Sequence, residues 1–584
     1  WVAIDQNDVA RLQARFGQGG GALEPAEALR LALAGEMVLG AGQEDAIRVD
    51  VVCDEGMTRA LETLRDGPGV RNLADGGRDA LAPVPDGIRA TLRAYQERGF
   101  TWLRSVTNLG FGACLADDMG LGKTLQLITL LADVAGPPHA ADGPPVAPEA
   151  RARFLIICPT SVLGNWRREI GRFYPELEVV LHHGTARAER PGELAQRLTP
   201  AKPGAPVALL TSYALARRDC ELLQSVLFDA LVLDEAQNIK NPEAAQSQAV
   251  RQLRARRRVA LTGTPVENRL LELWSIIDFL NPGLLGSAGA FKKHFATPIE
   301  RYADPDAAQR LRRVTAPFVL RRMKTDPTIA PDLPEKITST RYCPLTREQA
   351  ALYQAVAEKG LADIAELGGS PERHGRILSM LTAIKQICNH PAQYLRDSDP
   401  SPRRSGKLVR FVQLLDEVAE SGGASLVFTQ FREMGHLLEK VLADHFGHPV
   451  PFLHGGLSRQ ARDEMVASFQ AGTAAPILII SLRAGGTGLN LTRANHVFHY
   501  DRWWNPAVED QASDRAYRIG QTRNVTVHQM ISQDTLEEKT HHLLEQKRVL
   551  ANRVIGEGET WLSELDDDTL RTLITLGQDA VLED

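Results

Sequence analysis

Short runs of aliphatic residues recur along this chain, separated by stretches in which apolar positions return every three or four residues. Runs at Ala113–Ala116, Phe154–Cys158, Val207–Leu210, Ala230–Leu233 and Val259–Leu261 have strand length, and helical patterns lie between them. Strands alternating with helices predict an α/β fold built on a parallel, doubly wound sheet. From about Leu270 to Pro400 the strand pattern stops and helical spacing takes over. A second α/β pattern starts near Gly406, with strands expected at Ser425–Thr429, Pro451–His454, Ile477–Ser481, His496–Tyr500 and Thr526–Met530. Two such units with helices between them predict two lobes.

Residues 1–85 are rich in Ala, Gly and Leu, with a helix expected at Ala26–Ala34. The Pro/Gly-rich passage Gly67–Pro85 marks a boundary, and Gly136–Ala152 reads as a surface loop or local insertion. The tail after Gly556 is acidic and amphipathic, which predicts a solvated pair of terminal helices.

At 584 residues the chain is too long for one core, so two to four domains are expected. Its longest apolar runs are strand-length, far short of a membrane span. Six scattered cysteines without a Cys-x-x-Cys pair argue against a zinc or disulfide framework and for a reducing compartment. The net charge of −6 means that any nucleic acid must bind a local basic cleft. The run Arg254–Arg258 is a tempting patch, but it reads better as a solvated helix end before a buried strand. A chain that starts at Trp1 is expected to be a fragment.

The chemistry begins at Asp117-Asp118-Met119-Gly120-Leu121-Gly122-Lys123-Thr124, between an apolar run and a helix. Such a glycine loop turns backbone N–H groups toward one point and can surround a phosphate chain. Lys123 would reach the β- and γ-phosphates and Thr124 would ligate Mg²⁺, although Asp117 stands where the motif has its first glycine. Leu231-Val232-Leu233 then delivers Asp234 and Glu235 to a strand end, where parallel sheets place ligands. Asp234 can hold Mg²⁺ through water and Glu235 can orient the attacking water; the plain alternative is a helix N-cap pair. Thr262-Gly263-Thr264-Pro265, after another strand, could sense the γ-phosphate, and alone is only a turn. Gln96 has the paired donor and acceptor that an adenine edge requires, yet a single Gln on a helix is more often solvated.

Trp503 to Gln521 reads as one helix, with Asn505 as N-cap, Pro506 at the first position and Gly520 as the stop. At helical pitch Gln511, Arg515 and Arg518 share a face. That face forms a surface salt-bridge ladder with Glu509 and Asp510, or it aims two guanidiniums at a γ-phosphate.

These motifs, in this order, resemble the Swi/Snf family of helicase superfamily two. The likeness rests on Leu92–Gln96, Asp117–Thr124, Cys158–Trp166, Thr211–Tyr213, Asp234–Gln237 and Thr262–Asn268. It continues through Phe318–Arg322, Gln386–Pro391, Ser481–Asn490 and Gln511–Gln521, and covers about Leu92 to Leu550. Asp117 is the usual residue of that family's loop, and Asp118 replaces the more usual Glu.

The resemblance implies two RecA-like lobes with ATP in the cleft between them. It divides the chain into an N-terminal segment at 1–85, the end of a family-associated upstream domain, and a first lobe at 86–270. Helical insertions at 271–400, a second lobe at 401–545 and an acidic helical tail at 546–584 follow. ATP would be bound by Gln96, Asp118, Met119, Gly120, Leu121, Gly122, Lys123, Thr124, Gly488 and Gln511, with Mg²⁺ on Thr124 and Asp234. Lys123, Asp234, Glu235, Arg515 and Arg518 would be catalytic. Double-stranded DNA would be gripped through its phosphates by Ser161, Asn165, Trp166, Thr211, Ser212, His454, Arg483, Thr487 and Asn490. Trp504 reads equally as a groove contact or as core.

The leading expectation is a DNA-dependent ATPase that translocates along the duplex without separating strands. It would displace bound proteins and act as a monomer in the cytoplasm, at the bacterial nucleoid. The alternatives are a strand-separating DNA or RNA helicase and a nucleotide-gated DNA-binding scaffold without turnover.

Overall fold

A computed structural model describes residues 25–34, 36–39, 47–50, 81–136, 152–184, 187–202, 204–263, 269–324, 333–367, 372–482, 489–551 and 567–577, with isolated positions between these. It contains two compact units that divide near residue 330. The first unit begins with a helix at Pro25–Ala34 and two strands, β1 (Glu36–Leu39) and β2 (Ile47–Asp50), which pair antiparallel.

The first unit is built on seven strands: β3 (Ala113–Leu115), β4 (Arg153–Cys158), β5 (Glu178–His182), β6 (Val207–Ser212), β7 (Phe228–Asp234), β8 (Ala255–Leu261) and β9 (Val319–Leu320). All pair parallel, in the order β5-β6-β4-β7-β8-β3-β9. Helices follow the central strands, so β4 and β6 are buried on both faces and read as unbroken apolar runs. Every strand's carboxyl end lies on one edge, the edge where α/β sheets collect ligands.

The second unit holds six parallel strands: β10 (Lys336–Cys343), β11 (Ser425–Thr429), β12 (Phe452–Leu453), β13 (Ile477–Ser481), β14 (His496–His499) and β15 (Val525–Ser532). Their order is β10-β15-β14-β11-β13-β12. A core around Phe411, Val427, Leu438, Phe498 and Tyr500 fills one face, and Phe428, Ile480, Leu491 and Val497 the other.

The sheets depart from the sequence reading in three places. The stretch from Leu270 to Pro400 contains strands after all: β9 closes the first sheet and the eight residues of β10 edge the second. Polar-rich Lys-Ile-Thr-Ser-Thr-Arg-Tyr-Cys hides its strand because only one side of an edge strand is paired. The run Arg256-Arg257-Arg258 lies within β8, not on a helix end. There Arg258 Nη1 donates to the Phe279 carbonyl at 2.7 Å and Nη2 to the Leu253 carbonyl at 3.0 Å. Most of Gly67–Pro85, nearly all of Gly136–Ala152 and most of the acidic tail lie outside the described residues, although Asp567–Ile574 is helical.

Candidate nucleotide site

The chain leaves β3 by extending its ladder with the β9 segment: Ala116 N–H donates to Leu320 O at 2.7 Å and Asp118 N–H to Arg322 O at 3.0 Å. Gly120 (φ +88°) and Gly122 (φ +75°) then take the left-handed conformation that a Cβ disfavours. The helix Lys123–Ala135 starts at once, with Gly122 as an N-cap that offers no side-chain acceptor to the first turn. Uncapped N–H groups at a helix start attract anions, so this loop fits a phosphate chain. Lys123 Nζ donates to the Asp117 carbonyl at 2.5 Å, and Thr124 sits half-buried in the same turn. Asp118 accepts the Lys324 N–H at 3.0 Å. Gln96, on the helix Ala94–Asn108, is brought against the loop; a Cβ on Gly122 would lie 2.4 Å from its Nε2.

Asp117, the misfit of the motif, is fully buried and ion-paired with Arg322. Arg322 Nε meets Oδ1 at 2.9 Å and Nη2 meets Oδ2 at 2.5 Å, while Nη1 donates to the Tyr95 carbonyl and Nη2 to Gln126 Oε1 at 2.7 Å. A buried bidentate pair of this kind fixes geometry, because moving either partner strands a charge. Sequence inspection gave Arg322 no role; its partner lies 205 residues away.

Two strands from β3, across β8, strand β7 ends in Asp234 and Glu235. Asp234 Oδ1 accepts the Glu235 N–H at 2.9 Å and Oδ2 accepts the Trp166 indole N–H at 2.8 Å. Burial, reinforced by the Glu235 charge, pushes the Asp234 carboxyl up to about 7, against the lowering pull of the Trp166 hydrogen bond and of Lys123. Each carboxylate oxygen accepts one described hydrogen bond, which leaves a lone pair on each. A half-buried carboxylate so arranged fits a divalent cation.

Glu235 adopts φ +53°, ψ +57°, a left-handed conformation worth about 1–3 kcal/mol of strain in a non-glycine residue. Its surroundings hold it there. Asn238 Nδ2 donates to the Glu235 carbonyl at 2.8 Å, Tyr213 Oη to the Asp234 carbonyl at 2.8 Å, and Gln237 Nε2 to Glu235 Oε2 at 2.8 Å. Thr262, at the end of β8, donates to Gln237 Oε1 at 3.0 Å, which ties the Thr-Gly turn to the acids. Thr264–Asn268 lie outside the described residues.

Three side chains of the first unit expected on an open DNA-facing surface are instead buried. Trp166 is 1% exposed and points its N–H inward at Asp234; Thr211 donates to the His182 carbonyl at 3.1 Å; Ser212 caps its helix by accepting the Leu215 N–H at 3.4 Å. The reason is position: all three belong to the buried ends of β4 and β6 or the helices that follow. Ser161 is exposed, and half-buried Asn165 donates to Glu169 at 3.0 Å.

In the second unit the single long helix expected from Asn505 to Gly520 stops early, spanning Pro506–Ser513. Beyond it Arg515 and Ala516 N–H groups bond three residues back, and the Arg515 carbonyl captures the Leu491 N–H at 3.0 Å. Turns, ended by Gly520 at φ +99°, carry the chain on, so helical pitch does not align Gln511, Arg515 and Arg518. Arg515 is buried; Arg518 and Gln511 are half-buried, and Arg518 Nη1 lies 3.5 Å from the Leu489 carbonyl. The predicted ladder partner Glu509 is buried too, gripping Arg502 Nε at 2.9 Å. Trp504 packs on the core around Tyr353 and Leu536, with Lys385 Nζ 4.0 Å from its ring centre, as the core alternative required. His454, expected on the same DNA-facing surface, is buried too and accepts the Gly456 N–H at 3.1 Å, while Asn490 is exposed. Arg483, Thr487 and Gly488 lie outside the described residues.

The family pattern described as SNF2-related domain matches residues 95–393, and that of the helicase conserved C-terminal domain matches 406–520. A Bacillus subtilis protein, YwqA, whose name carries the words ATP-dependent helicase/translocase, is 44% identical over 545 residues, covering 92% of this chain and 56% of that protein. The mouse DNA excision repair protein ERCC-6 is 33% identical over 501 residues, covering 81% of this chain and 33% of that protein. The Sulfolobus solfataricus SWI2/SNF2 ATPase core, solved in complex with double-stranded DNA, is 43% identical, covering 85% of this chain and 100% of that one at a TM-score of 0.40. The chain thus spans about half the length of YwqA and a third of ERCC-6. Among the described residues no helix is long and apolar enough to cross a membrane.

Proposed function

This chain belongs to the SNF2-related family, and from that premise we propose that it is a DNA-dependent ATPase that drives movement along double-stranded DNA. The observation that carries the reading is the edge where β3, β8 and β7 end: a glycine loop with Lys123, then Thr262, then Asp234 and Glu235. Lys123 and the N–H groups of the first helical turn would bind the β- and γ-phosphates, with Gln96 toward the base. Mg²⁺ would be held by Thr124 and Asp234, and when bound it neutralises charge on the phosphate oxygens. Glu235, anchored by Gln237, would orient the attacking water and take its proton. We assign Arg515 and Arg518 to charge stabilisation in the transition state.

For the duplex we propose phosphate contacts by Ser161 and Asn165, joined by exposed Arg167 and Arg168 on the helix of Asn165, and by Asn490 of the second unit. The names of the relatives, a helicase/translocase and a DNA excision repair protein, support DNA as the track. We propose residues 86–270 and 401–545, together with the β9 and β10 segments that their sheets recruit from between them, as the motor lobes of a monomer acting in the cytoplasm at the bacterial nucleoid, with a bound protein as cargo. The bacterial relative supports that setting.

ATPase rates measured side by side with no nucleic acid, duplex DNA, single-stranded DNA and RNA test the proposal. Stimulation by duplex is expected, without displacement of a labelled strand. Equal stimulation by RNA, or strand release, would replace the translocase with a helicase. Lys123→Ala is expected to lower turnover at least about a hundredfold while duplex binding survives. Undiminished turnover would remove the loop from its role.

A further inference from the structure

We propose that Trp166 is a positioning residue for Asp234, its indole N–H fixing the carboxylate in the one orientation that presents both free lone pairs to the nucleotide's metal. The inference rests on the ATPase reading above and deepens it. The Asp234 carboxylate has two described donors, the Trp166 indole at 2.8 Å on Oδ2 and the Glu235 backbone at 2.9 Å on Oδ1. With both in place, rotation about the Cβ–Cγ bond breaks two hydrogen bonds at once. With the backbone donor alone, the plane is free to swing about that single contact.

The ring is well placed to act as a fixed post. Trp166 is 1% exposed on the helix Leu163–Phe173, whose parent strand β4 pairs directly with β7. The indole N–H therefore reaches Asp234 from a neighbouring strand's helix, not through its own chain. Tyr213, from the helix after β6, holds the other end of the same residue by donating to the Asp234 carbonyl at 2.8 Å. A donor buried this deeply has no solvent alternative, so its single acceptor is its whole hydrogen-bonding role. The same helix carries exposed Arg167, Arg168 and Arg172. One rigid helix thus joins a cationic surface to the acid.

The test replaces Trp166 by phenylalanine and, separately, by 3-benzothienylalanine, in which sulfur takes the place of the N–H and the ring shape is kept. Mn²⁺ binding is followed by electron paramagnetic resonance in the presence of a non-hydrolysable ATP analogue, and fluorescent ATP-analogue binding is measured in EDTA. Both variants are expected to bind Mn²⁺ about tenfold more weakly, the loss of one charge-assisted hydrogen bond. Nucleotide affinity in EDTA should change by less than about twofold. Trp274→Phe, which removes a buried indole N–H that donates to the Gly286 carbonyl away from the site, should keep wild-type Mn²⁺ affinity. Unchanged Mn²⁺ affinity in the benzothienyl variant would overturn the positioning role, and so would an equal loss in Trp274→Phe. If instead the wild-type protein binds no nucleotide, or Lys123→Ala leaves nucleotide binding untouched, the ATPase reading itself fails. Phenylalanine that prevents folding leaves the isosteric variant to decide.

Discussion

The two α/β units use buried charge in opposite ways. In the first, it gathers at the strand ends around the glycine loop: Asp117 on Arg322, and Asp234 held by neutral donors. In the second, it joins distant segments into one block. Lys407 grips Glu537 at 2.6 Å with both side chains all but inaccessible, Arg502 grips Glu509 at 2.9 Å, and Lys385 donates to the Arg502 carbonyl at 2.6 Å. Asp501 accepts from Thr429 and from the Gln430 N–H, and the Asn389 amide reaches it at 3.3 Å. Five stretches meet there, from the helix Glu372–Asn389 to the helix Leu536–Ala551. Burial pushes the Lys385 amine down to about 8 within that block. Buried charge in the first unit lies beside the glycine loop; in the second it ties distant segments of the scaffold together.

That contrast can be broken by experiment. The largest effect should come from Arg518→Ala, expected to lower kcat about a thousandfold with ATP affinity nearly unchanged, because an arginine finger acts mainly in the transition state. Single-turnover hydrolysis beside nucleotide binding measures the split; lost affinity with surviving turnover would return Arg518 to scaffolding. Next is Glu537→Gln, which leaves the Lys407 ammonium buried without its anion and should cost about 3–5 kcal/mol in urea unfolding. The unit around β10–β15 should lose its transition first. Arg322→Met should instead cost turnover out of proportion to stability. Equal stability losses in the two units would erase the distinction.

A smaller effect is pH-dependent and falls on the second unit. Burial holds the His499 imidazole down at about 4 and that of His528 down at about 3. In the unfolded chain both titrate near 6.5. Between about pH 6.5 and 4 the unfolded state therefore binds more protons, so stability is intact above 6.5 and falls as the solution is acidified. For fully buried His499 the loss amounts to about 3 kcal/mol, and His499→Gln should flatten that part of the profile in chemical denaturation. The smallest shift expected is in the salt response of duplex affinity. Arg167→Ala should reduce the slope of log affinity against log salt by about 1.

Much of this arrangement is legible in local pattern. The strands β4, β7, β11 and β13 announce themselves because a strand covered on both faces must be apolar throughout. The phosphate loop and the Asp234-Glu235 pair are equally local, since each follows its strand without interruption. Strand β10 was hidden because an edge strand can stay polar. The early stop at Ser513 was hidden because the residues beyond it suit a helix, and only the capture of the Arg515 carbonyl by Leu491 turns the chain away.

The sequence by itself determined which fully buried segments become strands, where the glycine loop and the acidic pair follow them, and which family they belong to. Tertiary structure decided who meets whom. Asp117 finds Arg322 across 205 residues and Asp234 finds Trp166 across 68, because β9 lies beside β3 and β4 beside β7. Periodicity along a chain records only whether a side chain is buried. Strand order, set by the packing of whole sheets, fixes the partner that a buried polar group must find.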